Sequence, residues 1–255
     1  MSMSDLIGVI MAAGKGTRMN DPERAKVMFR IGDRPMISHV IDRAHDCGAE
    51  RVILIVGYKG EVVRNWIEEE FPNSSIDFVE QREQLGTAHA VMQAVPKLEG
   101  FLGDTLVLSG DVPLLSGETL KRLIQLHREE EAACTLLTVL APDPTGYGRV
   151  VRNESGAVTR VVEHKDATNE ERLVKEINAG VYIFRSPDLL RALPQVRNNN
   201  VQGEYYLPDV ISILLNEGQS VAAYCSEQFD EIQGINTPDQ LAEADKVYRQ
   251  MMVGG

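Results

Sequence analysis

The run Leu6-Ile7-Gly8-Val9-Ile10-Met11 is apolar throughout and breaks into Ala12-Ala13-Gly14-Lys15-Gly16 before polar residues begin. A short apolar stretch that stops at glycines reads as a buried strand turning into a loop. Small side chains let backbone N–H groups approach anionic oxygens, and Arg18 and Lys26 add full positive charge at the same place. The loop therefore predicts a site for a nucleotide or a sugar phosphate. Taken alone, the motif suits a plain glycine-rich turn equally well. Local charge favours the anion site: from Lys15 to Arg34 six basic residues stand against three acidic ones, in a chain of formal net charge -12.

Two familiar phosphate loops do not fit. Counted from Gly8, the second glycine of a Walker loop falls one residue late, at Gly14, and Gly16 stands where Ser or Thr binds magnesium. The dinucleotide pattern starts at Gly14 and Gly16 but ends at Met19, whose side chain obstructs close helix packing. A P-loop ATPase and a hydride-transfer enzyme are both disfavoured.

Beyond the loop, helix-like and strand-like patterns alternate. Met36, Val40, Ile41 and Ala44 sit at helical spacing before the apolar run Val52–Val56. Val63, Trp66, Ile67 and Phe71 repeat the helical spacing until Pro72, Ile76–Val79 reads as a strand, and Ala88, Val91, Met92 and Val95 as one helix. Thr105–Leu108 is a strand, Leu120, Leu123, Ile124 and His127 mark a helix, and Ala132–Leu140 another strand. This alternation predicts an α/β fold: a doubly wound, mostly parallel, Rossmann-like sheet. After Ala141 the pattern changes to short strands around the turn Asn153–Gly156, predicting a small β-rich insertion. The expected organisation is one domain over 1–255, with a nucleotide half at about 5–140, a sugar half at about 141–236, and a helix at 237–252.

Composition narrows the partners. An acidic chain is a poor match for nucleic acid or anionic membranes, and no apolar run approaches the ~20 residues that span a bilayer. The N-terminus lacks a signal-peptide pattern, so a soluble cytoplasmic protein is expected. Cys47, Cys134 and Cys225 show no pairing motif and read as small buried apolar residues. The five histidines lack metal-ligand spacing, so any metal is expected on oxygen.

Ligands of open parallel sheets bind at the carboxyl ends of strands. Gln81, at the end of one, carries an amide that can donate to one edge atom of a base and accept from another, with Gly86 admitting the ring; Thr87 suits a helix cap equally well. Asp111 follows another strand and, beside a triphosphate, is the usual protein contribution to a magnesium site. Glu163-His164-Lys165-Asp166 and Glu176-Ile177-Asn178-Ala179-Gly180 hold groups that bind hydroxyls, although by composition they are ordinary loop residues. Thr237-Pro238-Asp239-Gln240 is a helix start, with Thr as N-cap, Pro at N1 and Gln at N3.

Met11-Ala12-Ala13-Gly14-Lys15-Gly16-Thr17-Arg18-Met19 with Lys26-Val27 resembles the signature loop of the sugar-1-phosphate nucleotidyltransferases. With Gln81, Gln84–His89, Asp111 and the later segments, the chain resembles the uridyltransferase domain of the bacterial N-acetylglucosamine-1-phosphate uridyltransferases from Ile10 to about Leu241. That resemblance implies Arg18 and Lys26 as catalytic residues, Met11, Ala12, Ala13, Gly14, Gln81, Gly86 and Thr87 as nucleotide-binding, Gly146, Glu163 and Asn178 as sugar-phosphate-binding, and Asp111 with Asn236 as ligands of Mg2+. It implies UTP and N-acetylglucosamine-1-phosphate as substrates, with no nucleic-acid or membrane partner and a monomer or weak homo-oligomer. Pro208 stands where that family usually has Thr, which removes a hydroxyl and a backbone donor and keeps glucose-1-phosphate open as acceptor. The family's β-helix acetyltransferase domain has no counterpart in these residues. A non-catalytic nucleotide-sugar-binding module is the alternative of another class; the joint presence of Arg18, Lys26, Asp111 and Asn236 speaks against it.

Overall fold

Along β1 (Leu6–Ala12) alternate side chains enter different cores: Leu6, Ile10 and Ala12 one, Ile7 and Val9 the other. That period of two requires apolar cover on both faces. The computed structural model describes residues 5–254. Its chain continues through the two-residue strands β2 (Arg30–Ile31) and β3 (Arg34–Pro35), α1 (Met36–Asp46), β4 (Arg51–Val56), α2 (Gly60–Glu70), β5 (Ser75–Glu80), α3 (Thr87–Met92), α4 (Val95–Leu98), β6 (Asp104–Ser109), α5 (Gly117–Glu129) and β7 (Cys134–Leu140). The remainder comprises β8 (Arg149–Arg152), β9 (Val158–Val162), β10 (Glu176–Arg185), α6 (Ser186–Ala192), α7 (Asp209–Asn216), β11 (Val221–Ser226) and α8 (Pro238–Gly254), with short 3-10 turns between.

The main sheet runs β11-β7-β10-β6-β1-β4-β5. Every pairing in it is parallel except those of β10, which lies antiparallel to both β6 and β7. Helices α1, α2 and α5 cover one face through Ile41, Ile67 and Leu123; α3, α6 and α7 cover the other through Val91, Leu189 and Ile211. Each fully buried aliphatic side chain contributes roughly 1.5–3 kcal/mol, and these two layers hold the sheet between them. The doubly wound, mostly parallel fold expected from the sequence is the fold observed, and β8 and β9 form its β-rich insertion as a hairpin attached to β10.

Several expectations change. The single helix after Gly86 is two, α3 and α4, because Pro96 lacks an N–H and its ring cannot continue a helix; the chain tightens there through Ala94 N–H to Val91 O (2.9 Å). Glu176–Gly180 is not loop but the first half of β10, where a bulge separates Asn178 from Tyr182. Strand β11 carried no clear period in the sequence; it completes the edge beside β7. Cys134 is buried, Cys47 half-buried, and Cys225 exposed, against the expectation that all three are interior. Helix α8 packs on the molecule: Ala244, Leu241, Val247 and Tyr248 meet Met19, Phe29, Ile31 and Met36.

Candidate active site

Because the loops after β1, β5 and β6 leave the same edge of the sheet, Gly14, Gln81 and Asp111 come together there. The reversal of β10 is what brings Asn178 to this edge: an antiparallel strand begins where its neighbours end, and Asn178 pairs with Thr138 near the end of β7. Two adjoining cavities result. One is lined by Met11, Ala12, Ala13, Gly14, Lys26, Gln81, Gly86, Thr87 and Asp111, the other by Gly146, Glu163, Asn178 and Pro208, and both reach Met11, Thr87, Ser109 and Asp111.

At that junction four polar side chains meet, two from the loop after β1 and one each from the segments after β6 and before α8. Lys26 Nζ is paired with Asp111 Oδ2 and donates to Asn236 Oδ1 at 2.7 Å, and Arg18 Nη2 donates to the same Asn236 oxygen at 2.7 Å. The Lys26 side chain is 11% exposed, so this pair is only partly screened by water. Asn236 is held in turn: its Nδ2 donates to Gly234 O (3.0 Å), and its backbone N–H donates to Gln240 Oε1 (2.8 Å). Gln240 Oε1 also accepts from Thr237 N (3.1 Å) while Gln240 N donates to Thr237 Oγ1 (3.3 Å), the reciprocal cap read from the sequence. Asp111 is anchored through its own carbonyl, which accepts from Ile235 N (2.9 Å).

In the loop after β1, the amide groups of Gly14 to Thr17 donate to no protein acceptor among the described residues, which leaves a row of donors at the cavity mouth. Gln81 is 4% exposed; its Nε2 donates to Gly86 O (3.2 Å) and lies 3.1 Å from His89 Nδ1, while its Oε1 has no hydrogen bond among the described residues. Gly86 lines the first cavity and also meets a distant segment of the chain. Its φ is +115°, and a Cβ there would lie 2.4 Å from Tyr205 O, so glycine is required where the Tyr205 segment crosses it. Thr87 does not cap its helix; its Oγ1 accepts from Leu207 N (2.9 Å), tying the same crossing segment down.

The second cavity is acidic. Burial, reinforced by Asp166, Asp209 and Glu204, pushes the Glu163 carboxyl up to about 7, against the pull of Arg149. Burial and Asp166 raise Asp209 to about 6. Asn178 spends much of its amide internally: Nδ2 donates to Tyr182 Oη (2.6 Å) and Oδ1 accepts from Gly180 N (3.2 Å). Pro208 lines this cavity directly before α7, where a missing N–H breaks no helical bond. Ser109, Tyr147 and Gly148 line the cavities but were not singled out in the sequence; their nearness to Asp111 and Gly146 in the chain is the signal that marks them.

An open sheet with charged loops gathered at its carboxyl edge defines a nucleotide-handling α/β protein. The chain belongs to the nucleotidyl transferase family, whose description matches residues 7–245. It is 47% identical over 258 residues to the bifunctional protein GlmU of Bacillus cereus strain G9842, covering 99% of this chain and 55% of that protein. With the GlmU proteins of Bacillus licheniformis and Halalkalibacterium halodurans it shares 46% and 45% identity over 248 residues, or 97% of this chain and 53% of each. The chain thus spans about half the length of the curated relatives it matches. A crystal structure of a UDP-glucose pyrophosphorylase complexed with UDP-glucose superposes with a TM-score of 0.77 at 17% identity, covering 96% of this chain and 98% of the other, which shows a shared fold. The family is typically divalent-metal dependent. Among the described residues no helix is long and apolar enough to cross a membrane.

Proposed function

We propose that this chain transfers the uridylyl group of UTP to N-acetyl-α-D-glucosamine-1-phosphate, giving UDP-N-acetylglucosamine and pyrophosphate. The convergence of Arg18, Lys26, Asp111 and Asn236 where two adjoining cavities meet is the observation that carries the reading. The acceptor phosphate oxygen is already ionised near neutral pH. It attacks the α-phosphorus as the bond to the β-phosphate oxygen breaks, and pyrophosphate leaves without an enzyme-bound covalent intermediate. The protein's work is alignment and charge neutralisation. Arg18 and Lys26 offer positive charge to the phosphates, and the unengaged amides of Gly14 to Thr17 in the loop after Ala12 and Ala13 hold their oxygens. The unengaged Gln81 Oε1 accepts from the base, and Glu163 and Asn178 receive the sugar.

The donor set suits magnesium. Asp111 Oδ2 and Asn236 Oδ1 both turn toward one cation, the Lys26 ammonium, and both are hard oxygens. Among the described residues no group of three or more His, Cys, Asp or Glu side chains is arranged to hold a metal ion by itself, so an ion at Asp111 and Asn236 would take its other ligands from phosphate and water. When bound, Mg2+ supplies further neutralisation of the phosphate charge.

Pro208 favours a second reading, with glucose-1-phosphate as acceptor, since no hydroxyl is offered at that position of the sugar cavity. Pyrophosphate release separates the readings: UTP is compared with CTP and GTP, and N-acetylglucosamine-1-phosphate with glucose-1-phosphate, each with and without EDTA. The expected result is EDTA-sensitive release with UTP and the N-acetyl sugar. Preference for glucose-1-phosphate would replace the acceptor, and preference for another nucleotide would remove the role given to Gln81.

A further inference from the structure

Among the described residues Arg149 is the largest side chain to be fully buried, at 1% exposure. It opens β8 at a junction of three strands, opposite Val162 of β9 and Ile177 of β10. Its Nη1 donates to Tyr147 O, its Nη2 lies 3.2 Å from His164 Nδ1, and its Nε has no partner. Among the described residues no carboxylate forms a salt bridge with it. A guanidinium buried among neutral acceptors is expensive, so something nearby must repay the desolvation.

The two partners of Arg149 bracket one carboxylate. Tyr147 and Arg149 flank Gly148, and Glu163, directly before His164, places Oε1 only 3.3 Å from where a Gly148 Cβ would stand. The acidic groups acting most strongly on Glu163 are Asp166 from its own turn, Asp209 from α7 and Glu204 from the crossing segment. Tyr182 of β10 and Tyr206 are also near it, and burial raises both. Arg149 pulls Glu163 the other way, while Arg149 itself is held charged by Asp143 as well as by Glu163 and opposed by Arg172.

The geometry points to Arg149 as a positioning residue of the sugar side: its buried guanidinium fixes Tyr147 and His164 on either side of Glu163 and supplies the positive charge that lets Glu163 meet sugar hydroxyls as a carboxylate rather than as an acid. This rests on the sugar-phosphate reading above. An ionised carboxylate accepts from two hydroxyls at once, whereas the acid gives up part of that capacity and adds a donor that the pocket then has to satisfy. Losing the cation therefore weakens the sugar phosphate and leaves the nucleotide side untouched, since Tyr147, Gly148 and Glu163, through which Arg149 acts, line the second cavity and none of them lines the first.

The test compares wild type with Arg149→Gln and Arg149→Lys. Carbon-13 NMR titration of the Glu163 carboxyl, assigned by its loss in Glu163→Gln, is run on unliganded protein. The Arg149→Gln change is expected to move the Glu163 midpoint upward by about one pH unit or more, and Arg149→Lys to leave it in place. In steady state Arg149→Gln is expected to raise KM for the sugar phosphate about tenfold at pH 7, with partial recovery at pH 9, while KM for UTP stays within about twofold. An unmoved midpoint, or equal rises in both KM values, would overturn the proposal. If Arg149→Gln does not fold, Arg149→Lys decides: its charge remains but its two-armed hold is lost, so an unchanged midpoint with a several-fold rise in sugar KM is expected, and an unchanged KM overturns the role. Should wild type use neither sugar phosphate, the sugar reading fails, while the titration still decides whether Arg149 governs Glu163.

Discussion

Gly16 leaves the room that the Lys26 side chain fills: a Cβ on Gly16 would lie 2.6 Å from Lys26 Cβ and 2.9 Å from its Cγ. Gly16 also has φ +64°, where a side chain costs roughly 1–2 kcal/mol. Gly16→Ala is therefore expected to push Lys26 away from Asp111 and Asn236. Turnover should fall about tenfold or more with a loss of stability of only about 1–2 kcal/mol, checked by pyrophosphate release and thermal melting.

Glu163 gives the fold a pH dependence with a definite sign. Its carboxyl lies near 7 in the folded chain, above its ordinary value of 4.5, so folding favours the protonated form. The stability this contributes is complete below pH 4.5 and is lost as pH rises through 7. Glu163→Gln cannot ionise. Relative to wild type it is expected to gain on the order of 1–3 kcal/mol at pH 8 and little at pH 5, as read from urea unfolding at the two values. Asp209, raised to about 6, adds to the wild-type trend in the same direction.

The cap of α8 reaches the Lys26–Asp111–Asn236 cluster. Gln240 Oε1 accepts from both Asn236 N and Thr237 N, so Gln240→Ala strands two donors and loosens the backbone that presents the Asn236 side chain to Arg18 and Lys26. A destabilisation of about 1 kcal/mol is expected, with a several-fold increase in the magnesium needed for half-maximal release. Thermal melts and a magnesium titration check the two effects separately.

Legibility in the sequence follows physical range. Strands such as Arg51–Val56 and helices such as Met36–Asp46 declare themselves through local period, because burial on one face or both is written into neighbouring residues. The loop after β1 was readable because small residues and clustered cations are a local signal. The direction of β10 was not: Glu176–Gly180 carries polar residues at its start because Glu176 pairs with Arg152 and Asn178 faces a cavity, and only pairing with β6 and β7 makes it a strand. The reason for Gly86 was hidden for the same cause, since Tyr205 meets it from far along the chain. Nothing local in the sequence marks Arg149; its burial is a property of three strands together.

The measurement closest to the central claim is turnover of Lys26→Ala with UTP, magnesium and N-acetylglucosamine-1-phosphate, with thermal melting to show that the variant is folded. Lys26 is the group that touches both Asp111 and Asn236, so a reaction centre at that point requires it. A folded Lys26→Ala whose pyrophosphate release falls by about 10²-fold or more is the expected result. Turnover equal to wild type would contradict the account and move the chemistry away from this cluster.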